Sequence, residues 1–212
     1  MKNKLIFISL LSCFVWAGGD ISPVEPEVTV PVVLDEESVS GLYASLGVVY
    51  NRTYATKSAW FSEADTQDES IGINAALGYE FNLYFALEGR VLKSFYAEDY
   101  ADVTTYSLFA KPSYPVSQDI EVYALLGYGL VKVDGVSSGN GAATPGVNIL
   151  DDSGFQWGVG MSYTLNNELS LFIDYTSLMV DASINNNLEA TSLITYKKLS
   201  VDALTIGMQY HF

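Results

Sequence analysis

The sequence predicts an all-β protein, an eight-stranded antiparallel up-and-down β-barrel whose strands cross a membrane. From Gly41 to Phe212, segments of about ten residues carry apolar side chains on one face and small or polar ones on the other, as strands between lipid and a narrow lumen require. After the amino-terminal stretch, no apolar run reaches the roughly 18 residues of a helical membrane span. Short turns and long polar loops alternate between the segments, which is typical of such barrels.

Residues 1–17 are predicted to form a secretory signal peptide. Lys2 and Lys4 precede an apolar stretch that is too short to span a membrane but has the length of a signal peptide's hydrophobic region. Cleavage is predicted after Ala17. An alternative is that the residues ending at Cys13 form a lipoprotein box and that Cys13 is acylated. If Cys13 leaves with the signal peptide, no cysteine remains and disulfides are excluded.

Residues 18–40 are predicted to be an acidic, proline-containing periplasmic linker. The segment has too little apolar surface to fold alone, and its charges and prolines favour an extended chain. Its carboxylates and prolines are Asp20, Glu25, Glu27, Asp35, Glu36, Glu37, Pro23, Pro26 and Pro31. The whole chain has a formal net charge of -15, which argues against a nucleic-acid partner because phosphate binding needs a basic surface.

Residues 41–212 are predicted to form the barrel. Its second strand shows the pattern, since Ile71, Ile73 and Leu77 point one way while Asn74 and Gly78 point the other. An amphipathic helix would need apolar residues three and four apart, which this segment does not supply. The predicted strands are 41–51, 70–81, 83–93, 104–114, 120–131, 154–165, 168–178 and 202–212.

The last strand alternates in the same way and ends on an aromatic residue. This ending resembles the carboxy-terminal signal by which bacterial outer-membrane barrels are recognised for assembly. Thr205, Gly207, Tyr210 and Phe212 occupy the positions of that signal. The resemblance implies that the barrel assembly machinery is a partner of this chain.

The barrel segment as a whole resembles the small outer-membrane β-barrel family of OmpA-type, OmpX-type and opacity-protein transmembrane domains. The resemblance covers about residues 40 to 212 and includes the strand and turn rhythm, the terminal signal and Gly-Tyr strand endings such as Gly78-Tyr79. The stretch from Ala17 to Pro26 also resembles the amino-termini of such proteins from campylobacter-like bacteria. The family implies a monomer in the outer membrane of a Gram-negative bacterium, with lipid and lipopolysaccharide around it and no cofactor. A peptidoglycan-binding domain is not expected after Phe212.

The lengths of the connections predict the orientation. Asn82, Pro115 to Asp119 and Asn166-Asn167 form short connections, which belong on the periplasmic side of such barrels. The long connections are predicted at 52–69, 94–103, 132–153 and 179–201 and would face outside. Both chain termini are therefore expected in the periplasm.

Four charged residues are predicted to face the lumen at mid-depth. They are Glu88 and Arg90 on the third strand, Lys111 on the fourth and Asp174 on the seventh. Charges inside a narrow lumen must pair, because an isolated buried charge is too costly to keep. This lumen charge network is expected to be a structural plug. The alternative is a gate that changes partners to open a small conductance.

Catalytic and metal sites are not expected. Enzymes of this family that act on lipid A need a histidine with a serine or carboxylate near the outer rim. The single histidine, His211, falls at the periplasmic end of the last strand. One histidine also excludes a histidine-rich metal cluster, and no acidic cluster has the spacing of a calcium-binding loop.

The remaining candidate feature is a set of acidic residues in the predicted outer loops. They suit solubility and repulsion, or alternatively adhesion to an extracellular ligand or divalent-ion bridging to lipopolysaccharide. They are Glu63, Asp65, Asp68, Glu69, Glu98, Asp99, Asp102, Asp134, Asp151, Asp152, Asp181 and Glu189. We therefore expect a structural, envelope-integrity or adhesion role. A narrow gated channel for ions or small solutes is the alternative, and a lipid-modifying enzyme is a third, less favoured one.

Overall fold

A computed structural model describes residues 41–55, 67–97, 101–135, 147–184 and 198–212. Across these ranges the chain forms eight strands that close into a barrel, each antiparallel to the next, with β1 also paired to β8. The predicted fold class is therefore confirmed. The predicted signal peptide and linker, residues 1–40, lie outside the described residues. The strands are β1 Gly41–Tyr54, β2 Gln67–Asn82, β3 Phe85–Ala97, β4 Ala101–Pro115, β5 Ile120–Gly135, β6 Asn148–Thr164, β7 Leu169–Ser183 and β8 Lys198–His211.

The alternation of the sequence becomes the two faces of the barrel wall. On β2, Ile71, Ile73 and Leu77 are exposed on the outside, whereas Asn74 and Gly78 are buried inside. Apolar side chains outside and small or polar ones inside are the arrangement of a lipid-facing wall around a narrow interior. Within the described ranges, no helix is long and apolar enough to cross a membrane.

Three short connections lie at one end of the barrel, which we call the turn end, and the opposite end is the loop end. The connections at 116–119 and 165–168 lie close to the predicted ones. The first connection was predicted at Asn82 alone, which is wrong, because Asn82 still belongs to β2. Leu83 and Tyr84 form the turn, and the Tyr84 N–H donates to Asn82 Oδ1 at 2.8 Å. Asn82 ends the strand because its side chain holds this turn.

At the loop end the strands are longer than predicted, because the alternation inverts there. Val103 and Val133 are buried inside, while Asp102 and Lys132 lie on the outer face. The predicted strands end where the outward residues cease to be apolar, although the strands themselves continue. Several residues assigned to loops therefore belong to strands: Asp68, Glu69, Asp102, Asp134, Asp151, Asp152 and Asp181. Glu63, Asp65, Glu98, Asp99 and Glu189 lie outside the described residues.

Two sheets enclose an apolar layer at the loop end. Among the described residues, β3 and β4 pair only as far as Lys93–Thr104, and β6 and β7 only as far as Trp157–Ser177. Beyond those pairs, β7, β8, β1, β2 and β3 continue as one sheet and β4, β5 and β6 as another. The apolar layer between them consists of Val49, Leu92, Ala101, Val103, Val131, Val133, Ile149, Leu150, Leu178, Met179, Ala182, Leu199, Val201 and Ala203.

Candidate functional site

A buried group of charged and phenolic side chains fills the barrel interior between the apolar layer and the turn end. The structure brings the four predicted lumen charges together, on β3, β4 and β7. Two tyrosines complete the group. We call it the lumen cluster, and its members are Tyr43, Glu88, Arg90, Lys111, Tyr123 and Asp174.

Arg90 is the centre of the lumen cluster. Its Nη1 and Nη2 donate to Asp174 Oδ1 and Oδ2 at 3.1 and 2.8 Å, which is a bidentate pair. Its Nε donates to Glu88 Oε1, a neighbour on the same strand face two residues earlier. The guanidinium also lies 5.6 Å from the ring centroid of Phe109. One cation thus bridges two carboxylates from opposite sides of the barrel.

Lys111 neutralises the second carboxylate charge. Its Nζ lies 3.8 Å from Glu88 Oε2 and donates to Gln209 Oε1 at 3.4 Å. The same ammonium lies 4.3 Å from the ring centroid of Tyr123 and 5.0 Å from that of Tyr43. Two cations and two carboxylates therefore form a compact group without net charge, which is the condition for keeping charges in a closed interior.

Tyr43 and Tyr123 were missed by the sequence analysis, which considered only charged residues. Tyr43 Oη donates to Glu88 Oε2 at 2.6 Å, and Tyr123 Oη donates to Asp174 Oδ2 at 3.1 Å. Each tyrosine lies directly across from a glycine on the neighbouring strand, Gly78 for Tyr43 and Gly160 for Tyr123. An added Cβ at either glycine would overlap the tyrosine ring. An inward tyrosine opposite an inward glycine is the signal of such a pair, and it appears only once the strand register is known.

The interior beyond the lumen cluster is also filled. A cavity of about 10 Å³ lies between Arg90 and Leu178, room for about one water molecule. Asn74, Ser107 and Thr176 each present a buried polar atom without a described hydrogen-bond partner toward this level. The apolar layer follows. Charged and apolar side chains thus occupy successive levels of the lumen.

The turn end opens into a vestibule of about 500 Å³. Lys111 lies at its inner end, and Glu121 and the pair of His211 and Glu80 line it, with His211 Nε2 3.3 Å from Glu80 Oε1. His211 Nε2 also lies 2.9 Å from Gln209 Nε2. The described residues contain no group of three or more histidine, cysteine or acidic side chains arranged to hold a metal ion.

Three residues of the predicted assembly signal lie on β8, the strand that closes the barrel, and Phe212 follows that strand directly. Thr205 is buried inside, and Gly207 pairs with Gly47 of β1. An added Cβ at Gly207 would overlap the backbone of Leu46. Tyr210 and Phe212 face outward with their rings in an edge contact at 5.2 Å. The Phe212 N–H donates to the Leu42 carbonyl at 3.0 Å, so the last residue contributes to closure.

Comparison with known proteins agrees with this architecture. Residues 28–212 match the family described as the outer membrane protein beta-barrel domain. No curated protein matches the chain in sequence closely enough to count as a relative.

Three solved structures illustrate the shared fold. Ail, the attachment invasion locus protein of Yersinia pestis in complex with the heparin analogue sucrose octasulfate, is 18% identical over 82% of this chain and 99% of its own, with a TM-score of 0.50. Neisserial surface protein A is 17% identical over 82% of this chain and 98% of its own, with a TM-score of 0.51. The amino-terminal β-barrel domain of Pseudomonas aeruginosa OprF is 10% identical over 82% of this chain and 99% of its own, with a TM-score of 0.51.

Proposed function

The chain belongs to the outer membrane protein β-barrel family, and we propose that it acts at the bacterial surface, in envelope integrity or adhesion, without conducting solutes. The filled lumen is the observation that carries this proposal. A solute crossing the barrel would have to displace the bidentate pair of Arg90 and Asp174 and then pass the apolar layer. Removing one partner from a buried ion pair costs about 3–5 kcal/mol, so the closed lumen is strongly favoured over an open one.

The orientation of the barrel is part of the proposal. Short turns of outer-membrane barrels lie in the periplasm and long loops outside, so the turn end would be periplasmic and the loop end extracellular. Polar residues on the outer face at the loop end support this assignment, since Lys93 pairs with Asp102 at 2.7 Å and Lys132 with Asp151 at 3.5 Å. Strand segments with polar outer faces suit water rather than lipid.

The loop end offers a rigid platform for surface contacts. Its two sheets pack on the apolar layer, so the strands that lead into the loops are held by an apolar core rather than by the membrane. Binding residues are commonly carried by loops on such a scaffold. Lipid, lipopolysaccharide and the barrel assembly machinery are the further partners that we propose, with the barrel acting as a monomer.

The charge of the chain favours a basic or neutral ligand over an anionic one. The structure of Ail holds a polysulfated sugar. This chain carries a formal net charge of -15, and its described loop end includes Asp134, Asp151 and Asp152. Like charges across an interface are unfavourable, so we do not expect a polysulfated ligand here.

A cell experiment tests the surface role. A strain that lacks the protein is complemented either with the full chain or with a version in which residues 136–146 are replaced by a short glycine-serine turn. We expect the deletion to reduce detergent resistance or adherence to matrix-coated surfaces. The trimmed barrel should restore detergent resistance alone. Identical behaviour of all three strains in both assays would contradict the proposal.

A narrow gated channel is the second candidate, and the vestibule is the observation that favours it. It leads from the turn end to Lys111, whose contact with Glu88 at 3.8 Å is longer than those of Arg90 with Asp174. A gate would move Lys111 and open this end of the cluster. An enzymatic role is not proposed, because His211 lies at the turn end with Glu80 and Gln209 as its described side-chain partners.

A further inference from the structure

A chain of polar contacts runs from the vestibule at the turn end to the lumen cluster. His211 Nε2 lies 3.3 Å from Glu80 Oε1 and 2.9 Å from Gln209 Nε2. On the other side of the Gln209 amide, Lys111 Nζ donates to Oε1 at 3.4 Å. Lys111 Nζ in turn lies 3.8 Å from Glu88 Oε2. One amide therefore joins the histidine to the buried ammonium. We call Glu80, His211, Gln209 and Lys111 the relay.

The two ends of the relay differ in their contact with water. The His211 and Glu80 side chains are 26% and 15% exposed, and both line the vestibule, so protons can reach them from solvent. The Lys111 side chain is only 4% exposed. Histidine is the side chain whose charge ordinarily changes between about pH 5 and 8, and His211 is the single histidine of the chain. A change of charge at His211 is thus one amide away from a buried cation.

The chemistry of Lys111 fixes the orientation of the Gln209 amide. An ammonium group has donors and no acceptor, so Lys111 requires the amide oxygen. The amide nitrogen of Gln209 then faces His211 Nε2 and donates to it. A ring nitrogen can accept only through a free lone pair. The arrangement in the structure is therefore that of a histidine without a proton on Nε2.

A proton on His211 Nε2 reverses these requirements. Two donors, the imidazole N–H and the Gln209 amide nitrogen, would then face each other at 2.9 Å. The new N–H has an acceptor within reach in Glu80 Oε1, and a hydrogen bond between an imidazolium and a carboxylate is among the stronger ones. The Gln209 amide must either turn its oxygen to His211 or move away. In both cases Lys111 loses the amide oxygen.

We propose that the relay is a pH-sensitive switch, in which protonation of His211 releases Lys111 from Gln209 and loosens the turn-end side of the lumen cluster. Lys111 would keep Glu88 and its contacts with two tyrosine rings, so the cluster stays without net charge. The Arg90 side of the cluster is not part of the relay. The inference goes beyond the proposed surface role, and it does not require the lumen to conduct.

Few other titratable groups face His211 among the described residues. The Tyr43 ring lies 5.8 Å from the imidazole, and its hydroxyl donates to Glu88. Glu121 of β5 and the carboxyl-terminal Phe212 line the same vestibule. The strands β3, β6 and β7 contribute only uncharged side chains to the described lining. Glu121 is therefore the side chain whose titration has to be told apart from that of His211.

Nuclear magnetic resonance of the refolded full chain in detergent micelles tests the switch. With 15N-labelled glutamine and 13C-labelled lysine, the Gln209 amide and Lys111 Cε signals are followed from about pH 8 to about pH 5, the range in which histidine titrates. We expect both signals to shift in the wild type and to stay in place in His211→Asn, whose side chain does not titrate. Glu121→Gln is the matched control and should keep both shifts.

Two results would overturn the proposal. One is a wild type whose Gln209 and Lys111 signals stay in place over the whole range. The other is a shift that persists in His211→Asn or disappears in Glu121→Gln, because a group other than His211 would then control Lys111.

A measurement on the wild type alone covers the case in which His211→Asn does not fold. Because His211 is the single histidine, its ring nitrogen signals are assigned directly. They should follow the same curve against pH as the Gln209 amide signal, and Nε2 should carry no proton at the alkaline end. Different curves, or a proton on Nε2 at the alkaline end, would contradict the relay.

Discussion

Replacing Arg90 by methionine should destabilise the barrel strongly, because it removes the cation that bridges two buried carboxylates. The change deletes two hydrogen bonds to Asp174 and the ion pair with Glu88. Each hydrogen bond to a charged group contributes about 1.5–3 kcal/mol. Asp174 keeps the Tyr123 hydroxyl at 3.1 Å, and Glu88 keeps Tyr43 at 2.6 Å. We therefore expect a loss of about 3 kcal/mol, the lower end of the range for breaking a buried ion pair.

Equilibrium urea unfolding of the full chain in phospholipid vesicles measures this loss. Lys93→Met is the matched control, since it removes a lysine paired with Asp102 at the loop end, where the Lys93 side chain is 48% exposed. An exposed pair contributes about 0–1 kcal/mol. The double variant Arg90→Met with Asp174→Asn should recover part of the loss, because it removes the unpaired charge. If Arg90→Met is as mild as Lys93→Met, the idea that the lumen cluster holds the barrel closed is wrong.

Three further outcomes are expected from the structure. Gly78→Ala should lower the free energy of unfolding by about 1–3 kcal/mol, because the new methyl group overlaps the Tyr43 ring. Gly89→Ala, whose Cβ would meet its nearest neighbour at 3.9 Å, should leave the free energy of unfolding unchanged under the same assay. Deleting Phe212 should deplete the protein from outer-membrane fractions, since the last residue closes β8 onto β1, and normal levels would argue against the assembly signal. Protease added to intact cells should cut within 136–146 but spare a tag at Val30, and cleavage of the tag would reverse the proposed orientation.

Strict alternation made much of the barrel wall predictable from sequence. Ile73 and Asn74 were assigned to opposite faces because successive side chains of a strand point to opposite faces. The structure places Ile73 outside and Asn74 inside, as predicted. The same parity placed Glu88, Arg90, Lys111 and Asp174 inside, and a narrow interior then required them to meet. Their role as a plug is still a proposal.

Other features could not be predicted, because they depend on register or on the solvent outside the wall. Tyrosine suits both lipid and polar surroundings, so Tyr43 gave no signal until the register placed it opposite Gly78. Asp102 and Asp134 resembled loop residues because the wall at the loop end is polar outside and apolar inside. The β4–β5 ladder is interrupted at Pro112, between the pairs Ala110–Leu126 and Ser113–Tyr123, and periodicity alone does not predict such a gap.

Current recordings on the refolded full chain in planar bilayers test whether the lumen cluster and the apolar layer close the lumen. We expect a silent membrane with no resolvable current steps. Reproducible wild-type openings that change in size or ion preference with Lys111→Gln would show that the lumen is not closed and would favour the gated channel.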